Sequence, residues 1–155
     1  MCSHYSFFLL YYSKLFPELQ IFGKRMSKYE DKIFQIIIRK YSVQKEKSFA
    51  DLSNGKLRFD FYIPSKKILI EVQGEQHYKQ VSRYQKHRED FLQQQERDRK
   101  KISYALSHGL TLYCIPYWEI EKISTISDVL NPKFIARDRW KNDKDWLDFQ
   151  LANRR

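Results

Sequence analysis

The stretch LRFDFYIPSKKILIEVQGEQHY, Leu57–Tyr78, predicts two β-strands joined by a short turn. Apolar and polar residues alternate from Leu57 to Ile63, which is the pattern of a half-buried strand. The run Ile68–Val72 is a second, more apolar strand, and Pro64–Lys67 between them has the composition of a turn. The stretch therefore predicts a β-hairpin.

Such a hairpin would bring two carboxylates together. If Ile63 pairs with Ile68 across the turn, Asp60 on the first strand directly faces Glu71 on the second. Like charges at opposed positions destabilise a sheet, because the Cβ atoms are only about 4.5–5.5 Å apart. A divalent cation, protonation of one carboxylate or a neighbouring basic side chain would relieve the repulsion. Oxygen ligands of this kind suit Mg²⁺, and the alternative is a solvated polar face neutralised by Arg58 and nearby lysines.

Length, charge and cysteine content narrow the class of protein. A chain of 155 residues suits one domain with a single core, and 42% hydrophobic residues argue against disorder. The net charge of +10 favours a polyanionic partner, nucleic acid first and an anionic membrane surface second. Cys2 and Cys114 lack metal-binding spacing and fit a reducing compartment, so we expect a cytoplasmic protein. The apolar stretch that ends at Ser13 is too short to span a bilayer, and we expect no membrane partner.

Patterns on both sides of the hairpin predict the rest of the fold. Ser27–Tyr41 has the apolar stripe of a helix, and a second helix is predicted from about Glu89 to His108. The continuous apolar run Leu110–Trp118 predicts a strand buried on both faces, and a weaker helix follows it to Leu130. This order predicts an α/β fold in which helices flank a mixed sheet, made of an antiparallel hairpin and a crossover strand. The domain organisation expected is an aromatic extension over residues 1–25, a core over 26–130 and a basic, Trp-containing segment over 131–155.

Two longer strings resemble a known family. RFDFYIPSKKILIEVQGEQHY (Arg58–Tyr78) and QERDRKKISYALSHGLTLYCIPYWEIE (Gln95–Glu121) resemble the restriction-endonuclease-like, or PD-(D/E)XK, nuclease superfamily. They are most similar to the very-short-patch repair endonucleases and to small homing and phage endonucleases, over about Ser27–Glu121. The resemblance implies a restriction-endonuclease-like core and a site-specific or nicking DNA endonuclease that depends on Mg²⁺, with Mn²⁺ as a substitute. It also implies a phage or mobile-element origin.

The resemblance assigns roles in the hairpin. Asp60 would be the central metal ligand, Glu71 the second ligand, and the Val72 carbonyl would complete the set. Gln73 stands where many members have lysine, and its amide could orient a water. His77 is the nearest candidate for the general base, because histidine can accept a proton near neutral pH.

Other residues of the two helices are supporting candidates. Glu30 is a candidate for catalysis or metal support, and the alternative is a capping box with Ser27. Asp98 and Arg97 would border the active site, or else Asp98 forms an ion pair within a charged helix. Lys101 would contact the substrate phosphate, or else it is simply solvated.

Basic residues near the hairpin predict contacts with the backbone of double-stranded DNA, in a monomer or a homodimer. The candidates are Arg58, Arg83, Lys86 and Arg88. Two other functions stay open at this point. One is a nuclease-like protein that has lost catalysis and only binds nucleic acid, which the glutamine at position 73 keeps open. The other is an interaction protein whose aromatic N-terminus docks to a larger assembly.

Overall fold

The structure is a computed structural model, and it describes residues 26–78 and 88–137. Predictions that concern residues 1–25, 79–87 and 138–155, including those for Arg83 and Lys86, lie outside the described residues. The helices and strands, in chain order, are α1 (Lys28–Ile37), β1 (Gln44–Ser48), β2 (Arg58–Ile63), β3 (Ile68–Gln73), α2 (Arg88–Ser107), β4 (Thr111–Pro116) and α3 (Ile126–Val129).

The four strands form one mixed sheet in the order β1-β2-β3-β4. The β1–β2 and β2–β3 pairs are antiparallel, and β4 returns parallel to β3 after α2. Ile63 pairs with Ile68, and Phe61 pairs with Ile70, which is the predicted hairpin register. The α/β fold with an antiparallel hairpin and a crossover strand is therefore confirmed.

The edge strand β1 was not predicted, because QKEKS has neither apolar alternation nor β-branched residues. Its lysines pack over aromatic rings instead. The Nζ of Lys45 lies 5.0 Å from the centroid of the Phe34 ring, and that of Lys47 lies 5.1 Å from the Phe49 ring. Lysine stems can cover apolar surface while their charges discourage pairing with another chain at a sheet edge.

Helices α1 and α2 cover opposite faces of the sheet. Alternation along β3 sends Ile70 and Val72 into the cluster that contains the buried isoleucines of α1. It sends Leu69 into the other cluster, with Ile102 and Ala105 of α2. Glu71 has the parity of Leu69, so its side chain points toward α2.

The ends of both long helices follow local signals. Ser27 caps α1 in a capping box, but the helix ends at Ile37, four residues before the predicted end. Ile38 therefore leaves the apolar stripe and is 44% exposed. Helix α2 runs from Arg88 to Ser107, close to the prediction, and Gly109 follows with a φ of 64° that glycine adopts without strain.

The chain after β4 differs from the single weak helix that its pattern predicted. A 3₁₀ turn at Ile120–Lys122 precedes the short helix α3, because polar residues interrupt the apolar period. The backbone N–H of Ala136 donates to the Leu112 carbonyl at 2.9 Å, and Phe134 is buried in the core. The packed body therefore continues past residue 130. Within the described ranges, no helix is long and apolar enough to cross a membrane.

Candidate active site

A cavity of about 740 Å³ lies beside the polar end of the β2–β3 hairpin, between the start of α1 and the middle of α2. Charged and titratable side chains from all these elements reach it. Its lining includes Glu30, Asp60, Glu71, His77, Arg97 and Lys101. The structure thus brings together most of the site residues that the sequence predicted.

The sheet is interrupted at Asp60, on both sides of β2. Pairing with β3 ends at Phe61 and Ile70, one position short of Asp60 and Glu71. Pairing with β1 omits Glu46, whose φ of 50° is in the left-handed region. The backbone N–H of Val72 instead donates to Oδ2 of Asp60, at 2.7 Å. A side-chain carboxylate therefore takes a hydrogen bond from the backbone of the neighbouring strand, and this anchors Asp60 at the cavity.

Glu71 is only 5% exposed, and a lysine from α2 donates hydrogen bonds to its carboxylate. The Nζ of Lys101 donates to both carboxylate oxygens, each at 2.9 Å. Burial raises the pKa of Glu71, although Lys101 acts to lower it. Burial acts to lower the pKa of Lys101, but Glu71, together with the charges of Asp60 and Asp98, outweighs burial, and the pKa of Lys101 is raised. Lys101 is therefore part of the site and is not simply solvated.

The pKa of the Asp60 carboxyl group reflects the repulsion from Glu71 that the hairpin register predicts. Burial, followed by the charge of Glu71, raises the pKa of Asp60 well above its usual range. Glu30 adds to this rise in pKa, while the Val72 N–H and Lys101 oppose it. The two carboxylates are thus electrostatically coupled, in an environment that a further cation would stabilise.

Glu30 forms the capping box and also reaches the cavity, and its role in catalysis or metal support stays a prediction. Its backbone N–H donates to Ser27 Oγ at 3.2 Å, and its Oε2 accepts from the Ser27 N–H at 3.1 Å, which completes a capping box. The same side chain is buried, lines the cavity and acts electrostatically on Asp60. The capping box holds the carboxylate at the cavity wall.

His77 belongs to a buried polar network next to Glu71. Its Nδ1 lies 2.8 Å from Oδ2 of Asp98, and Gln94 Nε2 donates to the other Asp98 oxygen at 3.0 Å. We assign the hydrogen to Nδ1, because the carboxylate of Asp98 accepts, and this leaves Nε2 as the basic nitrogen. Gln94 was not predicted from the sequence. Its position four residues before Asp98, on the same helix face, was the available signal.

Gln73 lies apart from this group. It is buried, and its Oε1 accepts a hydrogen bond from the hydroxyl of Tyr78. Gln73 is not among the residues that line the cavity. The structure therefore places Lys101, and not the side chain at position 73, beside the two carboxylates.

Basic residues stand at the cavity rim. Arg58 and Arg97 are exposed and line the cavity. Lys56, which follows the Asn-Gly turn and was not predicted, also lines it. Arg88 is exposed at the first position of α2 but does not line the cavity. The rim carries positive charge both on the loop before β2 and on α2.

The oxygen donors at the cavity bear on whether a metal ion could bind there. Across residues 26–78 and 88–137, no group of three or more His, Cys, Asp or Glu side chains could hold a metal ion. Mg²⁺, however, binds through one or two carboxylates and keeps several waters. The half-buried Asp60 and the buried Glu71 are oxygen donors, and burial and then the charge of Glu71 raise the pKa of Asp60, so their chemistry fits a hard divalent cation.

Comparisons with known proteins identify relatives but no family. No protein-family profile matches the chain, and no solved structure matches it. The chain is similar to uncharacterized protein 307L of Invertebrate iridescent virus 6, with 38% identity over 41% of this chain and 32% of that protein. It is also similar to uncharacterized protein 094L of Frog virus 3 (isolate Goorha), with 34% identity over 56% of this chain and 57% of that protein. The chain thus spans about a third of one viral relative and somewhat over half of the other.

Proposed function

We propose that this protein is a Mg²⁺-dependent DNA endonuclease with a restriction-endonuclease-like core. The observation that carries the proposal is the convergence of the half-buried Asp60 and the buried Glu71, whose charge acts on Asp60, at an interruption of the sheet. Buried carboxylates that repel each other are costly, and groups with strongly shifted pKa values concentrate at functional sites. The resemblance of this hairpin to PD-(D/E)XK nucleases supports the same reaction class.

Asp60, Glu71 and the carbonyl of Val72 would hold the ion. A bound Mg²⁺ would lower the pKa of a water, polarise the phosphoryl group and stabilise the leaving oxygen. Asp60 is held in place by the N–H of Val72, so its carboxylate is oriented before the ion arrives. Lys101 supplies a positive charge beside Glu71 that the amide of Gln73 cannot provide.

His77 would act as the general base. Nε2 accepts a proton from the attacking water, the water oxygen bonds to phosphorus, and one ester P–O bond breaks. Asp98 orients the imidazole through Nδ1 and stabilises the positive charge that it acquires. Gln94 holds Asp98 from the other side. The leaving oxygen takes a proton from solvent.

The basic rim would bind the DNA backbone. Lys56, Arg58 and Arg97 lie around the cavity mouth, where a phosphodiester would enter. Contacts of this kind give affinity that does not depend on sequence and that weakens as salt rises. Double-stranded DNA in the cytoplasm is the proposed substrate, and the two relatives are viral proteins, which supports a viral setting.

Cleavage of a supercoiled plasmid tests the proposal. With Mg²⁺, the wild type should nick or linearise the plasmid, and EDTA should prevent this. Asp60→Asn keeps an acceptor for the Val72 N–H but removes the charge, and we expect a loss of about 10³-fold or more. Asp31→Asn, the same change at an exposed position of α1, is the matched control and should retain activity. Equal activity in Asp60→Asn and the wild type would contradict the proposal.

A second candidate is nucleic-acid binding without catalysis. The observation in its favour is that Lys101 engages both oxygens of Glu71, which therefore is not open as a ligand. Salt-sensitive retention on immobilised DNA, without cleavage in Mg²⁺ or Mn²⁺, would support this candidate. Retention that does not respond to salt would instead favour the interaction protein.

A further inference from the structure

The ion pair between Lys101 and Glu71 occupies the oxygens that a metal ion would need. One ammonium group donates to Oε1 and to Oε2 at equal distances of 2.9 Å. The Lys101 and Glu71 side chains are only 13% and 6% exposed, so solvent competes little for either group. A divalent cation can therefore engage Glu71 fully only if the ammonium withdraws.

The surroundings of Lys101 allow such a withdrawal. Lysine has a flexible four-carbon stem that ends in a compact charge. Its Nζ already lies 5.5 Å from the centroid of the Phe59 ring, whose face attracts a cation. Lys101 also lines the cavity that would receive the substrate. The ammonium therefore has a second attractive contact besides Glu71, and the cavity lies next to it.

We propose that Lys101 and the divalent cation exclude each other at Glu71, and that cation binding transfers the Lys101 ammonium to the substrate phosphate. This inference rests on the proposed function. Every charge keeps a partner, since the two carboxylates of Asp60 and Glu71 neutralise the divalent cation while the ammonium pairs with a phosphate oxygen. Lys101 thus neutralises the buried Glu71 carboxylate when no divalent cation is bound, and it binds the substrate phosphate when the cation is bound.

The first measurement is Ca²⁺ binding to the full chain without DNA, by isothermal titration calorimetry. Ca²⁺ uses the same oxygen ligands. Lys101→Met should bind it about tenfold more tightly than the wild type, because no charge-assisted hydrogen bonds have to be broken. Lys100→Met is the matched control. It removes the same charge from the next residue, whose Nζ makes an exposed ion pair of 3.7 Å with Glu96, and its affinity should stay within about twofold of the wild type.

The second measurement is the gain in affinity that Ca²⁺ gives for a phosphorothioate duplex oligonucleotide, which resists hydrolysis. The wild type should gain about tenfold, and Lys101→Met should lose most of that gain because its ammonium is missing. A side chain that only neutralised Glu71 would leave the gain unchanged. If Lys101→Met unfolds in EDTA, its refolding by Ca²⁺ replaces the affinity measurement, and a lack of refolding contradicts the exchange.

The outcomes separate the two proposals. If Asp60→Asn abolishes Ca²⁺ binding while Lys101→Met leaves it unchanged or weaker, the exchange is wrong and the proposed function stands. Full retention of the Ca²⁺-driven gain in Lys101→Met also overturns the exchange alone. If the wild type binds no Ca²⁺, or if Asp60→Asn binds Ca²⁺ as tightly as the wild type does, the proposed function and the exchange both fail.

Discussion

Helix α2 turns one face toward the sheet, and two consecutive parts of that face differ in chemistry. In the polar part, Gln94, Asp98 and Lys101 follow one another at helical spacing and are all hydrogen-bonded. In the apolar part that follows, Ile102 and Ala105 are buried in the apolar cluster under the sheet. Both parts point inward, so the polar part is not a solvated surface.

The difference shows where the fold gives up stability. An apolar side chain that is buried on the sheet is stabilising by itself, whereas a buried charge is tolerated only with a partner. Each charge in the polar part has such a partner, because Lys101 pairs with Glu71 and Asp98 pairs with His77. A protein without a use for this arrangement would be more stable with an apolar stripe along the whole helix.

The largest expected effect is a difference in the free energy of unfolding between variants of two adjacent lysines of α2. In EDTA, Lys101→Met should destabilise the protein by roughly 3–5 kcal/mol, because it leaves the buried Glu71 without a counter-charge. Lys100→Met should cost less than about 1 kcal/mol, since its ion pair with Glu96 is exposed. Urea unfolding, followed by circular dichroism, measures both. Equal losses of stability would mean that the polar part of the inward face is no different from the exposed surface of the helix.

The next effect compares two histidines, each paired with an aspartate. His77 pairs with Asp98 in the cavity wall, whereas His108 lies 3.1 Å from Asp51 in an exposed pair just past the end of α2. His77→Gln should reduce plasmid cleavage by about 10²-fold or more, because the general base is lost. His108→Gln should change cleavage by less than about twofold. Similar activities for the two variants would remove His77 from the mechanism.

A smaller effect concerns the pH dependence of stability at Asp60, measured as Tm in EDTA. Because the pKa of Asp60 is raised in the folded protein, folding favours its protonated form. That stability is present below about pH 3.9, the unfolded value, and is lost as pH rises through the folded pKa.

Asn resembles the protonated form, so Asp60→Asn should raise Tm by about 2–4 °C near pH 8. The rise should vanish as pH falls toward about 4. The exposed control Asp31→Asn should show no such rise, and a lower Tm in Asp60→Asn at pH 8 would contradict the coupling of the carboxylates.

The smallest effect compares two exposed cations of α2. Arg97 lines the cavity mouth, whereas Lys100 does not. Arg97→Gln should weaken DNA binding a few-fold and reduce the salt slope of log K by about 1, which corresponds to one lost phosphate contact. Lys100→Gln should leave the slope unchanged. Fluorescence anisotropy at graded salt measures both slopes, and a uniform response would place the DNA elsewhere.

Local signals predicted a large part of the fold and half of the site. The turn composition of Pro64–Lys67 set the hairpin register, and this register brought Asp60 toward Glu71. Ser27 and Gly109 marked the start of α1 and the end of α2. Strand β1 was not predicted, because an edge strand can consist of charged residues when its partner strand provides the apolar surface.

The sequence by itself determined the hairpin, its two carboxylates and the helix that crosses over them, because strand alternation, turn composition and capping act between residues a few positions apart. Only the tertiary structure decided which basic side chain pairs with Glu71 and which acidic side chain pairs with His77. Lys101 is 30 residues from Glu71 along the chain, and Asp98 is 21 residues from His77. Both pairs form because α2 packs on the face of β3 that carries Glu71, and no local pattern encodes that contact.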